Sequence, residues 1–396
     1  MLNPSPYGWI SQYFVGFFFA YGVYLPFWAL WFEEQGVSAT DIGVLVGIGF
    51  ATRCVANMVL TPRIHRVEHL MPALRWLSFA ALLFVGFHFF TGGSFWMMAL
   101  ATVLFNLCCG PIVPLSDAMA NYYARLKMLD YGRTRLWGSI AFIGGSTVVG
   151  FLVAQYGTNM ILYTAMAGVL FSLLVGMRNT NPMPVTEQQD EAERPKLSKL
   201  LREWPVVKFL ALVALIQGSH AAYYSFSSIY WKGAGYSEDI IGYLWSLGVV
   251  AEVAVFALSK RLFSGWSLRA LFVAAAFGVM ARWGLTASTT AIAALVMIQL
   301  LHGVTFAMAH IAAIQYIQSS EPHKMVALQA LYNAIPLGAF IALMTTLSGW
   351  GYENWGANVF WAMAVMGLLA LFIKLEPNKA RIVDGSAVKS EANPQN

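Results

Sequence analysis

Charge is scarce in this chain. Only 11% of its 396 residues are Asp, Glu, Lys or Arg, against about a quarter in soluble globular domains. So little charge cannot cover a water-facing globule, which excludes an ordinary soluble protein. Cysteine is scarcer still. Cys54, Cys108 and Cys109 lie in apolar stretches and lack the spacing of a disulfide framework or a zinc site. His65 and His69 stand one helical turn apart, but in a basic connecting loop where a solvated role is expected. No phosphate-binding loop, nucleophile–base triad or metal-ligand cluster is apparent, so no cofactor is implied and the energy source is expected to be a gradient. The N-terminus lacks a basic n-region and a small-residue cleavage site, so the first apolar run is expected to stay as a span.

Apolar residues are what the chain has in abundance. They make up 58% of it, aromatics 15%, with 34 glycines and a mean hydropathy of +0.61. Small residues let membrane helices approach closely, and Trp and Tyr anchor them at interfaces. Twelve apolar runs fall at about 8–32, 41–62, 72–91, 95–122, 135–155, 159–178, 205–231, 239–260, 267–286, 290–318, 326–349 and 356–375. They are continuous and lack period-two alternation, so helices are expected rather than barrel strands. Every second loop is basic, and the others hold acids with Lys232 the exception, which predicts both termini on the cytoplasmic side.

The loop 179–204 is polar, proline-containing and of mixed charge, as a linker would be. It separates a six-helix half at 1–178 from a second at 205–375, with a polar tail at 376–396. The halves look related. At an offset of 199 residues, "YGVYLPFWALWFEEQGVSATDIGVLVGIG" (21–49) lies over "HAAYYSFSSIYWKGAGYSEDIIGYLWSLG" (220–248), with Tyr24 on Tyr223, Phe27 on Phe226, Gly43 on Gly242 and Gly49 on Gly248. Two gapless halves of the same topology imply parallel repeats about an axis normal to the membrane, with a site at mid-depth between them. The fold class is therefore an all-α membrane protein of twelve transmembrane helices in two six-helix halves.

Ionisable residues inside spans cost several kcal/mol unless they face protein or water, so each is a functional candidate. Asp117 is the one acid between Glu68 and Asp130. It follows Pro114, with Asn121 one turn further on, and Arg135 at the start of the next span is its expected partner. Substrate anchoring or proton exchange is one reading, a structural tie between two spans the other. Arg53 and Glu252 occupy corresponding repeat positions and carry opposite charge, so they are expected to face each other or line one cavity, as a switch or as a permanent salt bridge. His302 and His310 share a face of span ten, with Arg282 on the span before; His302 can exchange protons near neutral pH, while His310 and His88 taken alone read as structural. Tyr21, Tyr24, Trp28 and Trp31 form a ring stripe on the first helix, repeated as His220, Tyr223, Ser227 and Tyr230. Such a stripe is more often packing, but two facing stripes could sandwich a planar substrate.

At these residues the chain resembles a known family. "YGVYLPFW", "PLSDAMAN", "DYGRTRLWGS", "HAAYYSFSSIYW", "GYLWSLGVVAEV" and "LLHGVTFAMAHIAA" look like the 3-phenylpropionate permease group of the major facilitator superfamily, over nearly the whole chain. The resemblance implies a proton-coupled importer of aromatic carboxylic acids in a bacterial inner membrane. More distantly the chain is similar to the lactose/proton symporters. There an acid on helix four and an arginine at the start of helix five hold the sugar, positions matched by Asp117 and Arg135; Arg282 and His302 match the coupling arginine and histidine. The coupling acid one turn after that histidine is Thr305 here, and the helix-eight acid falls at Val249, with Glu252 one turn later.

The expectation is thus a symporter whose partners are a small molecule, a proton and the lipid bilayer, acting as a monomer without nucleic acid. The substrate would meet Asp117, Arg135, Tyr21, Tyr24, Trp28, His220, Tyr223 and Asn121, and Glu252, Arg53, Arg282 and His302 would carry proton coupling. A sugar or nucleoside symporter is the alternative. A non-transporting membrane sensor ranks below both, because neither the central loop nor the tail could house a partner domain.

Overall fold

The computed structural model describes residues 4–64, 66–185 and 197–375; the tail at 376–396 lies outside the described residues. Among these, ten helices are long and apolar enough to cross a membrane. The longest stretch, Pro322–Phe372, is divided at Gly356–Asn358, and the shorter apolar helix Met160–Gly176 completes twelve crossings. They are α1 (Pro6–Glu34), α2 (Ala39–Val59), α3 (Leu70–Phe87), α4 (Phe95–Arg125), α5 (Tyr131–Tyr156), α6 (Met160–Gly176), α7 (Trp204–Gly233), α8 (Glu238–Leu262), α9 (Leu268–Ser288), α10 (Ile292–Gln318), α11 (322–355) and α12 (Val359–Phe372).

Helices form because a bilayer offers backbone groups no other partner. Their first turns are capped from the side chain where the chain leaves water. Ser38 accepts from the Asp41 amide at 3.1 Å, Asp130 from Arg133 at 2.7 Å and Ser267 from Ala270 at 3.2 Å. Three spans are irregular. The α7 helix breaks at Ser219–His220, and α10 and α11 each contain a π-helical segment, Gly303–Met308 and Ile335–Phe340. Such widened turns concentrate at functional sites.

The two halves meet through α1 and α7, α2 and α11, and α5 and α8. At one end they are tightly joined. A Cβ on Gly43 would lie 2.5 Å from the Gly349 Cα, and one on Gly242 would collide with the Ser146 carbonyl, so only glycine admits these crossings. Ser146 and Ser246 hydroxyls bond across α5 and α8 at 2.9 Å. Ser228 on α7 donates to the Pro26 carbonyl on α1 at 2.5 Å. Glu353 at the end of α11 accepts from the Thr40 amide at the start of α2, 2.7 Å away. Lys232 reaches Glu238 at 3.1 Å and, across the halves, Glu34 at 4.0 Å. That explains the single lysine among the acidic loops.

Candidate functional site

Away from the joined end, the halves part around a cavity of about 310 Å³, at the lower edge of the usual range for small-molecule sites. Its walls come from α1 (Phe18, Tyr21, Leu25), α2 (Phe50), α5 (Arg135, Gly138, Ser139, Phe142), α7 (Tyr223, Tyr224), α8 (Trp245, Gly248, Val249, Glu252), α10 (His302, Phe306) and α11 (Leu337, Ile341). Rings dominate the lining. The polar side chains grow more exposed toward the end carrying the basic loops: His302 is 9% exposed, Glu252 25% and Arg135 31%. The cavity therefore opens toward that end.

The deep wall, in the C-terminal half, is a hydrogen-bonded chain. Arg282 Nη1 donates to His302 Nδ1 at 2.8 Å and to the Thr305 hydroxyl at 3.0 Å. A guanidinium cannot accept, so in neutral His302 the ring proton sits on Nε2, which faces the Glu252 carboxylate 3.5 Å away. Thr305, having accepted from Arg282, points its own proton at His220 Nε2, 3.1 Å distant; His220 Nδ1 then donates to the Gln217 carbonyl at 3.1 Å. Arg282 is fully buried, with its guanidinium 4.7 Å from the Tyr223 ring centroid and 4.3 Å from that of Trp283. Ring faces favour a cation once water is excluded. His302, Phe306 and His310 stack nearly parallel along α10, with centroids 5.2 and 6.4 Å apart, and His310 Nδ1 lies 2.6 Å from the Tyr332 hydroxyl.

The shallow wall belongs to the N-terminal half. Arg135 Nε lies 3.5 Å from Asp117 Oδ1, and the Tyr131 hydroxyl donates to the same oxygen at 3.2 Å. The Arg135 guanidinium also covers the Phe18 ring at 4.0 Å. Asp117 does not line the cavity itself; it acts on the cavity through Arg135.

Several expected contacts are absent. Arg53 and Glu252 do not pair or share a cavity: Glu252 faces His302, while Arg53 lies over the Tyr21 ring at 4.7 Å, with Tyr21 between it and the main cavity. Of the two ring stripes only Tyr21 and Tyr223 reach the lining. Tyr24 shares hydrogen bonds with Asn106 at 3.1 and 3.3 Å. Trp28 packs against His88 at 4.9 Å and Phe105 at 5.7 Å. His220 stands behind the wall, and Asn121 is exposed on α4 outside the lining. These positions are packing because the stripe runs the length of α1, whereas the cavity spans only about two turns of it. The lining residues Phe18, Phe50, Phe142, Tyr224, Trp245 and Phe306 were not anticipated. The repeat held a signal for some of them: the 199-residue offset relates Leu25 to Tyr224 and Phe50 to Val249, and all four line the cavity.

Comparison with known proteins agrees with this geometry. The family description "MFS_1 like family" matches residues 8–363. The chain is 41% identical over 370 residues to the "Probable 3-phenylpropionic acid transporter" of Escherichia coli (strain K12), covering 92% of this chain and 96% of that protein. It is 24% identical over 363 residues to the "Maltose permease" of Geobacillus stearothermophilus, covering 90% and 91%. Among solved structures, the nucleoside transporter NupG superposes with a TM-score of 0.74 at 15% identity, covering 93% of this chain and 97% of that one; at that identity the likeness concerns the fold alone.

Proposed function

The chain belongs to the MFS_1 like family of major facilitator transporters, and from that premise we propose that it takes up a small aromatic carboxylic acid together with a proton. It is a multi-pass membrane transporter rather than an enzyme. The observation that carries the finer reading is the cavity itself: a slot walled by rings from both halves, with arginine on the N-terminal side and a carboxylate–histidine pair on the other. Rings on opposed walls suit a flat apolar ring. Arginine presents a planar fork to a carboxylate.

In this reading Glu252 and His302 form the proton site. The Nε2 hydrogen faces the carboxylate, so protonating Glu252 removes the charge from that contact and loosens α8 from α10. The basic-loop end is cytoplasmic, the membrane is a bacterial inner membrane, and the conformation described here opens inward. The Gly43–Gly349 and Gly242–Ser146 crossings would separate in the outward-open state, with Glu353 leaving the α2 amide and Lys232 leaving Glu34. The transporter works as a monomer, because each half supplies one wall of a single site.

Labelled 3-phenylpropionate in proteoliposomes with an imposed inward proton gradient tests this. Uptake that follows the gradient and is displaced by other aryl acids is the expected result. Displacement by maltose or nucleosides but not by aryl acids would replace the reading with a sugar or nucleoside symporter.

A further inference from the structure

Of the arginines that the spans bring around the site, Arg282 and Arg53 have no carboxylate partner among the described residues, and only Arg53 is also without a histidine bonded to it. Asp117 and Arg135 hold each other, Glu252 faces His302, and Arg282 is bonded to His302. Among the described residues Arg53 forms no ion pair. It projects from the middle of α2, its Cα and carbonyl within contact range of a Cβ built on Gly110 of α4. Its guanidinium lies against the Tyr21 ring at 4.7 Å. Beside it is a small space of about 10 Å³, lined in part by Tyr24, Asn106 and Cys109, which is room for about one water. Arg53 is half-buried; a guanidinium partly withdrawn from water without an anion carries a cost, and an arriving carboxylate offsets it.

Tyr21 lines both this space and the main cavity. It is the partition between the ring-walled slot and the unpaired cation. We infer that Arg53 is the anchor for the carboxylate of the transported acid, and that Tyr21 is the gate the carboxylate passes. The aromatic ring of the substrate stays in the slot between Tyr21 and Tyr223, and its carboxylate reaches the Arg53 fork past the Tyr21 edge. Arg135 is a poorer anchor. It is already neutralised by Asp117 and lies nearer the mouth, which suits it to the entrance. This assignment rests on the aromatic-acid reading and moves Arg53 from proton coupling to substrate binding.

The test is calorimetric binding of 3-phenylpropionate and of its neutral amide to the purified full-length protein in nanodiscs, for wild type, Arg53→Gln, Arg53→Lys and Arg135→Gln. Wild type should bind the acid more tightly than the amide. Arg53→Gln should weaken the acid about ten- to a hundredfold, the loss of a charge-assisted contact, and leave the amide unchanged. Amide binding also reports that the variant is folded. Arg53→Lys, with charge but no fork, should fall between. Arg135→Gln should weaken the acid less than Arg53→Gln does. An acid affinity in Arg53→Gln equal to wild type, or equal losses for acid and amide, would overturn the anchor while leaving the aromatic-acid reading intact. A wild type that binds neither compound would instead overturn that reading.

Discussion

The two halves use one scaffold for different ends. Each carries a tyrosine on its first helix hydrogen-bonded to an amide on its fourth: Tyr24 to Asn106, and Tyr223 to Gln299 at 2.9 Å. A glycine of the second helix packs on each pair, Gly49 against Asn106 and Gly248 against Gln299. Around this common device the chemistry diverges. The C-terminal half threads Glu252, His302, Arg282, Thr305 and His220 into one continuous network. The N-terminal half has no counterpart to that network among the described residues. Its Tyr24 and Trp28 positions are taken by packed rings, and its charges stand apart as the Asp117–Arg135 pair and the solitary Arg53. In the proposed reading the polar residues within this frame divide the work, with proton handling on one side and substrate charge on the other.

Breaking the C-terminal network should have the largest effect. Arg282→Gln leaves His302 and Thr305 without their donor in a buried setting, where an unsatisfied polar group costs about 1–3 kcal/mol; thermal unfolding in detergent should show it, and uptake should be lost. The N-terminal pair should matter less to stability. Asp117→Asn removes a contact whose partners are a quarter to a third exposed, and such pairs contribute at most about 1 kcal/mol. Its melting temperature should stay near wild type while uptake falls, because Arg135 loses its orientation at the mouth. An Asp117→Asn protein with full uptake would make that pair a structural tie.

His310 sharpens the comparison further. Its ring stacks on Phe306 beside the C-terminal network and its Nδ1 meets the Tyr332 hydroxyl, so if His310 assists the proton site Tyr332→Phe should slow gradient-driven uptake more than it slows substrate exchange. Equal slowing of both would limit His310 to packing. The smallest effects should come from the shared device. Tyr24→Phe and Tyr223→Phe each remove one buried hydrogen bond worth about 1 kcal/mol, and parallel melts should shift by similar amounts. A much larger shift for one would mean the halves are not equivalent there.

Most of the fold was legible in the chain. Every apolar run became a helix, with ends displaced by a few residues where caps such as Ser38 and Asp130 set the first turn. The 199-residue repeat also anticipated a cavity between two halves. The break at Ser219–His220 and the π-helical turns were not legible, since they depend on contacts such as Gly303 against the Ala251 carbonyl that belong to packing rather than to periodicity. Asp117 could be paired with Arg135 in advance because charge is so rare in these spans, while Arg282 and His302 were linked in advance through the resemblance to the lactose/proton symporters. Arg53 and Glu252 could not. Equal position in a repeat sets equal depth, not direction, and the Tyr21 ring turned one of them away. Phe50 on α2 and Leu337 and Ile341 on α11 line the cavity without having been named in advance, whereas Asp117 and Asn121 on α4, expected to meet the substrate, do not line it.

Net uptake and exchange measured side by side in Glu252→Gln proteoliposomes test the central claim most directly. If Glu252 with His302 is the proton site, the variant should exchange labelled 3-phenylpropionate across the membrane at a rate near wild type yet fail to accumulate it under an inward proton gradient. Accumulation at the wild-type level would contradict the account and move proton coupling away from the C-terminal network.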